Sequence, residues 1–219
     1  MADIPSETVF AVCARQRYEL ADLLEGLTDV ELETPSLCSA WTVRMVAAHL
    51  AGAITGSMRT FMVSVLRHGG NLHGANDALA RRKAAEPISS LVSTLRDRAD
   101  SRLSPPVTGP RGPLADLLVH GGDIRLPLSL AFTPPLDATE IALDFLTGRA
   151  PGFVPRRRLS GIMLAPTDTD RRWGSGSEIT GCAGDLMMAV SGRPATLDRL
   201  AGPGLPILRS RISPTGSTN

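Results

Sequence analysis

The feature that most constrains the fold is the helical repeat of apolar residues through roughly the first two thirds of the chain. In the opening segment the repeat is formed by Val9, Val12, Cys13, Leu20, Leu23, Leu24 and Leu27. This spacing gathers the side chains on one face of a helix. We therefore predict a helix from about Ser6 to Leu27, with Ser6 as its N-cap.

Five further helices are predicted on the same grounds. The second helix runs from its N-cap Thr42 to about Arg67, and the third begins near Asp77. The fourth runs from about Ile88 to Leu103 and the fifth from roughly Leu114 to Leu126. The sixth runs from its N-cap Asp137 to Thr147. The glycine-rich segment 68–77 separates the second predicted helix from the third. Pro113 suits the first turn of the fifth predicted helix, and Pro127 ends that helix. Gly148 closes the sixth.

The pattern changes after Pro151. Segments 157–170 and 171–181 are typical of two short strands with a turn between them, and 184–194 and 195–202 are typical of short helices. The predicted fold class is therefore mostly α. We expect a helical bundle over residues 1–150, a small α/β C-terminal domain over 151–210, and a frayed tail over 211–219.

Composition excludes several classes of function. The chain has 219 residues, of which 42% are hydrophobic and 21% charged, as in globular proteins. A net charge of +1 and 4% aromatic residues argue against binding to nucleic acid or an anionic membrane. Without a long apolar run or a signal-peptide pattern, we expect a cytoplasmic protein. Cys13, Cys38 and Cys182 are too widely spaced for a disulfide framework or a zinc knuckle.

Two histidine-bearing segments carry the candidate chemistry. His49 lies in the apolar segment VRMVAAHLAGA, where a lone histidine is more often a core residue. Asp116 and His120 are four residues apart among leucines, so they share one helix face and would be costly to bury unpaired. One metal ion would satisfy all three, and three protein ligands with an open position are typical of catalytic zinc sites. A plain Asp–His hydrogen bond or a surface pair is the alternative.

Asp123 follows His120 at the i+3 position. It could orient the imidazole of His120. It could also replace Asp116 as a ligand, or pair with Arg125 or another arginine.

The remaining histidines and cysteines are weaker candidates. His68 and His73 lie in the glycine-rich segment and are expected to be solvated. Cys38 precedes the His49 helix, but no base is nearby in sequence, so we do not expect a nucleophile.

Three segments together resemble a known family. S-A-W-T-V-R-M-V-A-A-H-L resembles the W-T-V-x-x-x-x-x-H-L signature of the DinB-like and mycothiol-dependent maleylpyruvate isomerase superfamily. D-L-L-V-H-G-G-D resembles that family's E-x-x-x-H-x-x-D. The stretch W-G-S-G-S-E-I-T-G-C-A-G-D-L-M-M-A-V-S-G-R-P resembles its small C-terminal domain. The segments occur in the family's order and cover nearly the whole chain.

The resemblance implies an up-down four-helix bundle with a small α/β C-terminal domain. It places the family's metal ligands on His49, Asp116 and His120. The family's arginine near the C-terminus matches Arg193, and a further arginine could match Arg81.

The resemblance also implies a cosubstrate, since members of the family use mycothiol, the low-molecular-weight thiol of actinobacteria. Of the 23 basic residues only Lys83 is a lysine. This arginine-rich composition is compatible with a high-GC actinobacterial source.

The function implied is that of a metal-dependent, mycothiol-dependent thiol transferase or isomerase. A metal-bound thiolate would attack a small electrophilic substrate, while Arg193, together with Arg81, would hold a carboxylate or stabilise developing negative charge. Zinc is the first expectation for the divalent metal, although nickel, iron and manganese also suit this ligand set.

Two alternatives stay open. The same residues could support hydrolysis by a metal-bound water. A non-catalytic binding protein with a degraded site is the other alternative. The second alternative is favoured by Asp116, which replaces the family's glutamate. Aspartate is one methylene shorter, so its helix would have to move by roughly 1 Å for the carboxylate to reach the same metal.

Overall fold

The computed structural model describes residues 4–212 except 39, 57, 68, 149 and 151. For residues 58–62, 72 and 73 the description covers the backbone alone. In this part of the chain there are ten α-helices, two 3-10 helices and one three-stranded sheet. The predicted fold class, mostly α with a small α/β region, is confirmed. None of the described helices is long and apolar enough to span a bilayer.

The chain divides into two compact units, the first of which comprises Met1–Leu103 and Asp123–Leu130. Its helices are α1 (Ser6–Glu25), α2 (Asp29–Leu32), α3 (Val43–Thr55), α4 (Met58–Arg67), α5 (Leu72–Ala84) and α6 (Ile88–Asp97). Helix α3 packs against α5 and α6, and α1 packs against α6. The core between them contains fully buried leucines such as Leu24, Leu91 and Leu95.

The start of α1 differs from the sequence prediction. Ser6 begins the helix but does not cap it, because Pro5 occupies the N-cap position without a side-chain cap. The fixed φ of proline already suits the turn that enters a helix.

The long helix predicted from Thr42 to Arg67 is two helices. Thr42 caps α3 as predicted, since its side chain accepts a hydrogen bond from the Met45 N–H. Gly56 then takes an extended conformation, with ψ 135°, and ends α3 before α4 begins at Met58.

Helices α5 and α6 also have bounds that the sequence did not predict. Helix α5 begins at Leu72, ahead of the predicted Asp77, because the Asn71 side chain caps it by accepting from the Gly74 N–H. Helix α6 ends at Asp97 rather than Leu103. Beyond its end, the buried guanidinium of Arg17 donates to the carbonyls of Ala99 and Ser101, at 2.6 and 2.9 Å.

The second unit comprises Ser104–Gly122 and Ala131–Asn219. Its elements are α8 (Leu136–Thr147), β1 (Ile162–Pro166), β2 (Trp173–Gly174), β3 (Ser177–Gly181), α9 (Ala183–Val190), α10 (Leu205–Ile212), and 3-10 helices at Arg156–Arg158 and Pro194–Arg199. Helix α7 (Arg111–Arg125) contributes residues to both units. Strand β1 is central, antiparallel to β2 and parallel to β3.

Several predictions for this unit need correction. The segment 171–181 forms two strands rather than one, since the chain turns between Gly174 and Ser177. Segment 195–202 lies largely in a 3-10 helix, and the first residues of the predicted tail belong to α10. Residues 213–219 lie outside the described chain. Asp137 does not cap α8, whose N-cap is Pro135.

A buried carboxylate connects α8 to the sheet. Asp144, 8% exposed, accepts hydrogen bonds from the Trp173 indole at 2.7 Å and from Arg171 at 2.6 Å. Charge-assisted bonds of this kind offset the cost of burying the carboxylate.

The interior of α7 contains a glycine for a steric reason. A Cβ on Gly122 would lie 2.5 Å from the Met188 sulfur and 3.0 Å from Cζ of Phe132. Glycine costs a helix interior about 1 kcal/mol relative to alanine. A side chain at this position would therefore force the Met188 side chain of α9, and the Phe132 ring, to shift.

We expect Gly122→Ala to destabilise the protein by about 1–3 kcal/mol, because the new methyl group overpacks the contact with Met188. The matched control is Gly52→Ala in α3, where the nearest atom to an added Cβ is Cγ of Lys83 at 3.9 Å. That change should be neutral or stabilising. Urea unfolding of both variants measures the difference, and equal effects would contradict the packing argument.

Stability should also depend on the buried Cys13 thiol. Burial raises its pKa from 9.0 to about 11, although the charge of Arg17 acts in the opposite direction. Between these values the unfolded chain releases a proton that the folded chain keeps. The free energy of unfolding should therefore fall, by about 2 kcal/mol, as pH rises from 9 to 11. Denaturation across this range in Cys13→Ala should show a shallower fall, and parallel curves would contradict the assignment.

Candidate metal centre

Helix α7 presents a carboxylate and an imidazole on one face. Oδ1 of Asp116 lies 3.4 Å from Nε2 of His120. His120 is buried at 8% exposure, and Asp116 is half-buried. Two ligand atoms bound at about 2.0–2.2 Å to a tetrahedral ion are roughly 3.3–3.6 Å apart. The observed separation therefore suits two ligands of one metal ion, as well as a direct interaction between the two side chains.

His49 lies on α3, half-buried, with its imidazole against the indole of Trp41. The two ring centroids are 5.1 Å apart, and the ring planes are inclined by 46°. The backbone of Trp41 is held on both sides, since its carbonyl accepts from the Ser36 N–H at 2.9 Å and its N–H donates to the Cys38 carbonyl at 3.0 Å. The turn that precedes α3 thus positions the indole beside the histidine.

Arg81, predicted to act in catalysis, lies on α5 in an ion pair. Its Nε donates to Oδ2 of Asp77 at 2.9 Å, and its side chain is 55% exposed. The hydrogen bond that Arg81 donates to Asp77 raises the pKa of the guanidinium. Oδ1 of the same carboxylate accepts from the Trp41 indole at 2.9 Å.

Asp123 lies fully buried in the last turn of α7. Its carbonyl accepts from the Leu37 N–H at 3.2 Å, which satisfies a helix-terminal acceptor. Arg125 was named as an alternative partner of Asp123. Burial lowers the pKa of Arg125, and the negative charge of Glu19 on α1 acts against this shift. The predicted role of Asp123 in orienting His120 stays a prediction.

Arg193 leads into the 3-10 helix at Pro194–Arg199 and is half-buried. Its Nη1 donates to the Ser191 carbonyl at 2.8 Å. A second guanidinium, Arg158, donates to the Val190 carbonyl at 3.1 Å. Burial lowers the pKa of Arg158, and the positive charge of Arg193 lowers it further. Two neighbouring cations suit the binding of an anion. Sequence reasoning missed Arg158, since nothing distinguishes it within the run Arg156–Arg158.

Two groups of described side chains have the donor atoms to hold a metal ion. One is His49 with Asp116 and His120, and the other is Cys38 with His120 and Asp123. The first is the predicted ligand set. Cys38 was not predicted as a ligand, since in the sequence analysis it was considered only as a nucleophile. His68 and the side chain of His73 lie outside the described residues.

Comparison with known proteins was made by sequence and by structure. Residues 13–105 match the family model described as the mycothiol maleylpyruvate isomerase N-terminal domain. Two crystal structures, of mycothiol-dependent maleylpyruvate isomerase and of its histidine-to-alanine mutant, are similar with TM-scores of 0.56 and 0.58. Each is 13% identical, and each match covers 92% of this chain and 94% of the other. No curated protein sequence matches this chain.

These matches agree with the resemblance found in the sequence motifs. At 13% identity the two structures establish a common fold, and they are structures of enzymes. Residues 13–105 are thus similar to the mycothiol maleylpyruvate isomerase N-terminal domain, and the likeness in fold to the two solved structures extends over 92% of the chain.

Proposed function

We propose that this protein is a metal-dependent thiol isomerase or transferase that uses mycothiol and acts on a small acidic electrophile. The observation that carries the proposal is the 3.4 Å separation of Asp116 Oδ1 and His120 Nε2 on α7. The name of the matched family and of the two similar structures supports mycothiol as the thiol and an isomerisation as the reaction.

In this proposal His49, Asp116 and His120 hold one divalent ion, with zinc as the first candidate. A divalent ion bound there would lower the pKa of a thiol and so supply a thiolate near neutral pH. The donor set fits such an ion, since it combines two imidazoles with one carboxylate. The shorter side chain of Asp116 is compatible with this role, because its carboxylate already lies at ligand spacing from His120.

Arg193 and Arg158 would hold a carboxylate of the electrophile. Burial is the larger cause of the lowered pKa of Arg158, and the positive charge of Arg193 adds to it, so an anion bound near both would relieve that repulsion. An acidic substrate is therefore favoured over a neutral one. Cytoplasmic location and an actinobacterial source, both expected from the sequence, stay predictions.

Metal content is the first test. We expect near-stoichiometric metal in the purified protein by elemental mass spectrometry, and a loss of at least about tenfold in affinity in His49→Ala and His120→Ala. Asp116→Glu restores the family's longer carboxylate and should keep the metal. Asp198→Ala, which removes an exposed carboxylate that pairs with Arg209 at 2.9 Å, is the control.

Absence of metal from the parent protein after reconstitution with zinc would overturn the proposal in favour of a non-catalytic binding protein. Retention of metal in His120→Ala would show that the ion is held elsewhere.

Thiol dependence is the second test. With an acidic electrophile such as maleylpyruvate, we expect turnover only when mycothiol is present. The thiol should be regenerated by an isomerase and consumed by a transferase, so thiol titration separates the two. Arg193→Met should raise KM for the electrophile by roughly tenfold, which is the loss of one charge-assisted contact. Turnover without any thiol would identify a hydrolase instead.

A further inference from the structure

A continuous series of contacts leads from the surface of α5 to the candidate ligand His49. Arg81 Nε donates to Oδ2 of Asp77, and Trp41 Nε1 donates to Oδ1 of Asp77, both at 2.9 Å. The Trp41 ring then packs on the His49 imidazole with centroids 5.1 Å apart. The two oxygens of one carboxylate thus receive different donors, one from α5 itself and one from the turn before α3.

The ion pair in this series contributes little to stability by itself. Asp77 and Arg81 are four residues apart on α5, with side chains 38% and 55% exposed. In exposed pairs of this kind, solvent and salt screen most of the attraction between the charges. The ion pair matters more for geometry than for stability. When Arg81 holds one oxygen of the Asp77 carboxylate, the other oxygen faces the Trp41 indole in one fixed direction.

The indole needs such a partner. Trp41 precedes the first turn of α3, so its backbone is fixed by the turn while its ring still rotates about two side-chain bonds. The hydrogen bond to Asp77 selects one orientation, and in that orientation the ring lies against His49.

We infer that Asp77 is a positioning residue, which orients the His49 imidazole through Trp41, and that Arg81 acts by holding the Asp77 carboxylate. The inference rests on the proposed metal role of His49. It gives Arg81 a role at Asp77 in place of the contact with substrate that the resemblance implied. Residues that orient metal ligands typically change metal affinity by 10–100-fold when they are removed.

The test uses the fluorescence of Trp41. The chain has two tryptophans, so Trp173→Phe leaves Trp41 as the sole reporter. In metal-free protein, Asp77→Ala should shift the Trp41 emission and lower its anisotropy, because the indole loses its partner. Co²⁺ bound at His49 should quench Trp41, and titration should show binding about tenfold weaker in Asp77→Ala. Asp77→Asn keeps an oxygen acceptor and should recover most of both effects.

The control is Glu86→Ala, which removes a carboxylate bonded to Lys83 and Ser90, both at 2.8 Å, just beyond the end of α5. It should change neither emission nor Co²⁺ affinity. Parent-like emission and affinity in Asp77→Ala would overturn the inference, and so would equal losses in Glu86→Ala. If the parent itself binds no Co²⁺, the proposed function fails and the inference with it. If the parent binds and Asp77→Ala binds equally well, only the inference fails.

A second measurement avoids the Trp173→Phe background. Zn²⁺ affinity, from competition with a chelator, is compared among Asp77→Ala, Trp41→Phe and the double variant. Phenylalanine lacks the N–H that Asp77 accepts, so the double variant should bind no more weakly than Trp41→Phe alone. Fully additive losses would show that Asp77 acts independently of Trp41 and would overturn the inference. Far-UV circular dichroism confirms that each variant is folded.

Discussion

The structure depends on the direct packing of Met188 and Phe132 against the backbone of α7 at Gly122. Two adjacent glycines in a helix interior each cost about 1 kcal/mol of propensity. Here one of them permits a contact that a side chain would block, so tertiary packing offsets part of that cost. Helix α7 runs unbroken from Arg111 to Arg125, and Asp116 and His120 keep the spacing of one helical turn.

Several buried and half-buried polar side chains in both units have hydrogen-bond partners that are distant in sequence. Arg17 donates to two carbonyls beyond α6, Asp144 accepts from Arg171 and Trp173, and Asp77 accepts from Trp41. A polar group buried without a partner is costly, so each contact restricts how its elements can pack. The Trp41 contact differs from the other two because it also restricts a ring that packs on a candidate metal ligand.

Arg158 and Arg193 of the second unit show that one arginine within a run can be distinguished from its neighbours by packing alone. Arg156, Arg157 and Arg158 are equivalent in sequence, but burial and the positive charge of Arg193 both lower the pKa of Arg158. Its side chain reaches the carbonyl at the end of α9, and this brings two cations together in that unit. This pair of cations is the basis for the acidic substrate in the proposed function.

The sequence by itself determined the helical repeats, the cap at Thr42 and the spacing of Asp116 and His120, because these depend on neighbours within a few residues. It also determined the resemblance, since the motifs are local. It did not determine where α3 and α6 end or where α5 begins, because Gly56, the buried Arg17 and the Asn71 cap act through conformations and contacts that spacing does not encode. Only the tertiary structure paired Trp41 with Asp77 and Arg158 with Arg193, since 36 residues separate the first pair and no sequence rule selects the second.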